Sequence, residues 1–526
     1  MRRSPGCAIR GPRLDCRPVT VTAPRRLLAI VAALLGSGAM AGTALGHAAL
    51  VSSSPAAVAA HGLSPVYQSP LPLAVYLLGA AAVVGLSFAF VIARDMRATV
   101  APSARVVRVP RPVRVGLRIV GLVGWAWIMA QGVAGGTSDA AVAGLFLWVY
   151  GWVGVAMVSA LAFPLWEWLD PFATLFDLGA WALRRAGVRG WAASGLPDRL
   201  RVWPAAAGFA FFVWVELVVV PGTGALTLVL AGYTVLTLVL MAQVGRDAWR
   251  AGGETFSVWF RTLNRLAPYG VAPAADAEGR ADAVADHVVL RRPFASGVLD
   301  GRWETARIVL VAVGVASIVF DGVSQTVAFA DVFGGPVFIP RTAELGAFLG
   351  LVVVAAVFVA RTVGPGAIGS GLLPIAVGYL IAHYLTFLLI DGQRIVIAVS
   401  DPLQTGADVF GSAFYVVQTG WLPPGLVWTV QLAAVVGGHM LGAWAGHVTA
   451  QRDADAIATA RPPRDLRHRK IHSLPARAVP NVRRREVPLA VVMVALSTLT
   501  LWSLGQAIVR EQAALRDAAP TIAARP

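Results

Sequence analysis

Five ionisable side chains stand inside long apolar runs of the chain: Glu216, Asp321, His383, His439 and His447. A charged group at membrane depth costs about 2.5–3.5 kcal/mol on insertion scales, so each is a candidate for chemistry. An imidazole at such a position can ligate a metal, act as a base or satisfy a neighbouring backbone group. A carboxyl can carry a proton or ligate a cation. Asp321 shares one helical face with Ser317, Ser324 and Gln325, at spacings of three to four residues. His383 is followed by Tyr384, and Asp391 and Arg394 stand just past the end of the same apolar run. Asp401 and Asp408 follow in the next loop, and with Glu216, Tyr384, Asp391 and Arg394 they are expected to be buried polar groups.

At a rise of about 1.5 Å per residue, Glu216, Asp321, His383 and His439 fall about 15–22 Å from the inner end of the hydrocarbon. Matched depth predicts one polar layer in which His383 and His439 join Asp321 around a divalent metal, zinc or copper. In such a site His383 and Asp321 would be the catalytic groups. His447 is eight residues beyond His439, too far along the axis to share an ion. Gly438, Gly442 and Gly446 repeat at four-residue spacing and form a stripe on which a second helix can pack closely.

These residues need helices to hold them. The chain has 526 residues, of which 57% are hydrophobic and only 14% charged, against about 25% charged in ordinary soluble domains. Apolar blocks of about 20 residues alternate with Arg-rich connectors, which predicts an all-α, polytopic membrane bundle. Ten spans are expected after an N-terminal signal: 72–93, 115–134, 141–164, 203–220, 225–243, 306–325, 344–360, 372–390, 426–449 and 488–508. The organisation follows. Residues 1–48 hold an N-terminal extension and signal peptide, with Arg25-Arg26 ahead of the apolar run. Residues 49–71 form a short extracytoplasmic segment and 72–243 hold the first five spans. Residues 244–305 form a cytoplasmic loop whose amphipathic stretch around Phe256, Trp259, Phe260 and Leu263 predicts an interfacial helix. Residues 306–449 hold four spans and the outer loop 391–425. A basic cytoplasmic loop, 450–487, precedes the last span and tail, 488–526. Asp170-Pro171 signals a helix start, with aspartate as cap and proline in the first turn.

The net charge of +16 is almost wholly arginine, Lys470 being the single lysine. Its distribution sets orientation rather than nucleic-acid binding. With residues 49–71 outside, the inward connectors and flanks hold 32 Arg and Lys. The outer side holds Arg341, Arg394, Arg510, Arg516 and Arg525. The only cysteines, Cys7 and Cys16, precede the first apolar block, which excludes thiolate chemistry in the bundle. No phosphate-binding loop, zinc-protease helix or nucleophile-elbow serine is present in the sequence.

Several segments resemble the fenitrothion hydrolase family of polytopic membrane proteins, found in high-GC bacteria. They are His61-Gly62-Leu63 leading into Ser69-Pro70-Leu71-Pro72-Leu73, Trp148–Ala160, and Leu372–Gln393. Ser400-Asp401-Pro402 with Asp408-Val409-Phe410-Gly411, and the Gly438-His439 helix, complete the order. The resemblance implies an all-helical bacterial inner-membrane protein linked to organophosphate triester hydrolysis, working with a second membrane subunit. A shorter stretch, His47–Ala56, resembles the start of periplasmic copper-binding domains, in which such a histidine ligates copper. The residues themselves leave three functions open: metal-assisted hydrolysis of apolar esters in the bilayer, a permease or ion-handling protein using the same His/Asp layer, or a non-catalytic subunit.

Overall fold

The computed structural model describes residues 105–135, 140–188, 193–273, 284–299, 303–460 and 487–504, together with scattered positions between 78 and 87. The signal peptide, the 49–71 segment, most of the first expected span, residues 461–486 of the basic loop expected over 450–487, and the tail lie outside the described residues; the first residues of that loop instead continue the preceding helix to Ala460.

Among the described residues, seven helices are long and apolar enough to cross a membrane. In chain order, strand β1 (Arg105–Arg108) leads into α1 (Arg111–Ala134) and α2 (Val142–Leu161), the latter π-helical over Leu145–Val155. Helix α3 (Pro171–Arg185) starts where Asp170 accepts the amides of Phe172 at 2.9 Å and Ala173 at 3.0 Å, with Pro171 in the first turn. Then come α4 (Trp203–Val219), α5 (Thr223–Val244), α6 (Arg246–Gly252) and α7 (Thr255–Leu263). Strands β2 (Tyr269–Pro273) and β3 (Val284–Arg291) follow. Helices α8 (Thr305–Ser324), α9 (Val327–Phe333), α10 (Phe338–Thr362), α11 (Pro365–Ile390), α12 (Pro424–Ala460) and α13 (Val487–Leu504) complete the order. The spanning set is α1, α2, α5, α8, α10, α11 with its extension to Ser400, and α12 to Arg452. Helices α4 and α13 are apolar but shorter.

Two expectations need correction. The chain is mostly helical but not all-α, because β3 pairs antiparallel with both β1 and β2, in the order β1-β3-β2. The amphipathic stretch expected at the interface is α7, and nearly all of its residues are buried. Its aromatic face packs inward, with Trp259 stacked on Phe209 at 4.6 Å and on Trp152 at 6.0 Å.

Helix α8 is the axis of the bundle, packing on α4, α10, α11 and α13. Helices α11 and α12 make the most extensive helix pair, and they run antiparallel. A Cβ on Gly438 would lie 2.7 Å from Pro374 O, and one on Gly446 would lie 3.0 Å from Ala367 O. At Gly442 a Cβ would meet Gly371 O. Backbone contact this close requires glycine. Gly438→Val should therefore push the helices apart and lower thermal stability in detergent by about 1–3 kcal/mol, the usual cost of overpacking. A Cβ on neighbouring Gly437 meets nothing within 4 Å, so Gly437→Ala should be neutral. Equal melting of the two variants would contradict this packing.

Candidate functional site

Asp321 is placed one turn from the end of α8, and His383 and Tyr384 on the corresponding part of α11. His383 Nε2 is hydrogen-bonded to Asp321 Oδ2 at 2.9 Å, and Tyr384 OH donates to the same oxygen at 3.0 Å. Gln325 Nε2 donates to Oδ1 at 2.6 Å. Three side chains thus converge on the one carboxylate. The two rings stand edge to face, with centroids 4.5 Å apart. Gly322 makes room for the imidazole: a Cβ there would lie 3.6 Å from His383 Nδ1 and 3.0 Å from Ser503 Oγ of α13. The second ring nitrogen therefore faces the α8–α13 seam.

Glu216 belongs to the same neighbourhood. It lies near the end of α4 and close enough to feel the charge of Asp321, while Tyr384 in turn feels Glu216. It is only 4% exposed, and neither carboxylate oxygen has a hydrogen-bond partner among the described residues.

His439 does not join this cluster. Its Nδ1 donates to Val435 O at 2.7 Å, which leaves Nε2 to accept from Tyr379 OH at 3.3 Å. Tyr379 is one turn before His383 on α11, and Ser497 and Thr500 of α13 stand beside its hydroxyl. The three ligands expected for a zinc or copper ion thus sit in two separate hydrogen-bonded groups. Among the described residues no three His, Cys, Asp or Glu side chains converge to hold a metal. The donor set, split in this way, does not fit the expected ion. His447 pairs with Gln451 at 2.9 Å.

In the 391–425 loop the four residues expected to be buried are instead half-buried (Asp391, Arg394, Asp401) or exposed (Asp408), because they serve a local ion pair and turn backbone at the surface of the chain. Asp391 pairs with Arg394 at 3.1 Å, three residues on. Asp401 accepts the amides of Thr405 and Gly406, each at 2.9 Å. Asp408 accepts from the Ser400 hydroxyl at 2.6 Å and the Ala413 amide at 2.9 Å, and these bonds hold its carboxyl below the usual range. No family model, curated protein or solved structure matches the chain.

A second polar cluster was not expected from sequence. At the Asp170 end, Arg250 Nε meets Asp170 Oδ2 at 2.9 Å and its Nη2 meets Glu167 Oε2 at 3.3 Å. Arg261 forks onto Glu167, and Glu254 accepts the first amides of α7 and the Tyr233 hydroxyl. Burial works to raise the Glu167 carboxyl, but Arg261 and Arg250 overcome it and bring it down to about 2. Burial and the nearby Asp170 charge push Glu254 up, against the bonds from Ser257 and Tyr233. Because Glu167 is lowered on folding, its contribution is full above the ordinary carboxyl range. It is lost as the pH falls from about 4.5 towards 2. The amount is on the order of 3 kcal/mol. Melting in detergent across that range should fall more steeply for wild type than for Glu167→Gln; parallel curves would contradict the assignment.

Beside the Glu167 cluster lies an apolar cavity of about 380 Å³, lined by Trp125, Phe146, Tyr150, Trp166, Phe172 and Phe256 among others. Asp321, His383 and Tyr384 do not line it. Trp152, next in chain to the lining residue Gly151, instead packs against Tyr384 at 6.4 Å.

Proposed function

We propose that this is a multi-pass protein of the bacterial inner membrane whose Asp321–His383–Tyr384 cluster takes up and releases protons as part of ion or solute passage. The supporting observation is the cluster itself: a carboxylate, an imidazole and a phenol on two central helices, with the carboxyl of Glu216 beside them. Side chains of this kind buried in a bundle are the usual parts of a membrane proton relay. The groups facing it are Glu216 from α4, Gln325 from α8 and Ser503 from α13. Arg341 of α10 lies over Phe320, one residue before Asp321. The reading includes ten spans, a signal peptide ahead of them, and the Arg-rich connectors on the cytoplasmic face.

The experiment is proton flux in liposomes containing the purified chain and an entrapped pH dye. Wild type should collapse an imposed pH gradient faster than protein-free liposomes, and His383→Ala should not. Flux equal to that of empty liposomes would overturn the reading.

A second reading follows the fenitrothion hydrolase resemblance: hydrolysis of apolar esters inside the bilayer, together with a second membrane subunit. The Asp321–His383 pair favours it, since an imidazole oriented by a carboxylate can activate water. The separation of the apolar cavity from that pair weighs against it. Hydrolysis of an uncharged phosphotriester by the purified chain, lost in His383→Ala, would support this reading over the first.

A further inference from the structure

We propose that Arg105 and Arg291, paired across the small sheet, hold the phosphate of an anionic phospholipid headgroup where the sheet meets the membrane. The two stand directly opposite one another, as register partners on β1 and β3. Both are exposed. Like charges facing across a strand pair destabilise it, and among the described residues no acidic side chain pairs with either guanidinium. A phosphate between them replaces the repulsion with charge-assisted hydrogen bonds, the contact that planar guanidinium forks favour.

The fold places this pair at the bilayer. Side chains alternate along a strand, so Arg105 shares a face with Val107 and Val109, and Arg291 shares it with Val289. Val109 continues the pairing, its amide donating to His287 O at 2.9 Å. On that face Val109 and Val289 are buried with Trp168 against Leu117, in the second turn of α1. The arginines therefore stand on the side of the sheet turned to the membrane-spanning helices, at its uncovered margin. Only Val109 and Pro110 separate β1 from α1, whose first residue, Arg111, is also exposed.

Two neighbouring rings fit a headgroup better than a free anion. Tyr269 of β2, half-buried, pairs with Arg291 from the other side. Phe294, three residues past Arg291, is 50% exposed. Tyrosine settles at the headgroup level of a bilayer, and phenylalanine buries into the same layer. Arg292 is committed elsewhere: it donates to the carbonyls of Asn264, Arg265 and Ala267 and so fixes the end of β3. The contact rests on the membrane assignment proposed above and requires no proton flux.

The test is thermal melting of the purified full chain in detergent micelles doped with phosphatidylglycerol or, at equal mole fraction, with phosphatidylcholine. Phosphatidylglycerol should raise the melting temperature of wild type saturably, and phosphatidylcholine should not. An arginine near an anionic surface strengthens the attraction about fivefold, so Arg105→Gln should need about fivefold more phosphatidylglycerol for half the effect. Arg201→Gln removes the same charge from an exposed arginine already paired with Glu304, and should respond like wild type. Arg105→Glu sets an opposite charge across from Arg291. It should melt above wild type in phosphatidylcholine and lose the response to phosphatidylglycerol. Equal stabilisation of wild type by the two lipids, or equal shifts for Arg105→Gln and Arg201→Gln, would overturn the proposal. So would inorganic phosphate that reproduces the whole effect, since the site would then take a free anion.

Discussion

Arg250→Ala is expected to destabilise the protein by about 3–5 kcal/mol, the cost of removing one partner from a buried ion pair. Arg250 is 4% exposed and bridges Asp170 and Glu167, both of them buried. Its loss strands Asp170, which also caps α3, and leaves Arg261 as the remaining guanidinium on Glu167. Lysine should rescue only part of the loss, because one ammonium cannot reproduce the planar fork. Arg201→Ala is the contrast: it removes an exposed partner of Glu304 and should cost no more than about 1 kcal/mol. Thermal melts in detergent decide between them. Similar melting of Arg250→Ala and Arg201→Ala would show that the inner cluster does not hold the fold.

Asp321→Asn should lower proton flux by about 10²-fold or more, within the range that positioned proton-transfer groups contribute. The replacement keeps the shape of the side chain and a carbonyl oxygen able to accept from Tyr384, so folding should persist. What it removes is the charge that orients His383 and can exchange a proton with it. An Asp321→Asn variant that melts like wild type yet conducts no protons separates function from packing. Wild-type flux in the same variant would reduce Asp321 to a helix–helix contact.

Much of the helical frame was legible because apolar blocks of membrane length carry their own signal, and Asp170-Pro171 announces a helix start without tertiary help. The polar face of Ser317, Asp321, Ser324 and Gln325 also showed which side of α8 leaves the lipid. Placing His383 on Asp321 followed from matched depth. The same argument misplaced His439, because depth along an axis says nothing about rotation around it. His439 turns towards Tyr379, one turn before His383, and nothing marked Tyr379 among the aromatic residues of its run. Helix α7 was misread for a related reason: an amphipathic period looks the same against lipid headgroups as beneath a helix bundle. The Glu167–Arg250–Arg261 cluster joins residues more than 80 positions apart. Read singly, its arginines looked like topology determinants. The pairing of β1 with β3 is equally remote in sequence.

The most direct measurement of the central claim is infrared difference spectroscopy of the purified protein during a pH titration, with Asp321→Asn, Glu216→Gln and His383→Ala as references. The account predicts carboxyl and imidazole signals that change together with pH in wild type. Removal of either Asp321 or His383 should alter the signal of the other. Asp321 and His383 bands that do not respond to pH, or that titrate independently of one another, would contradict it.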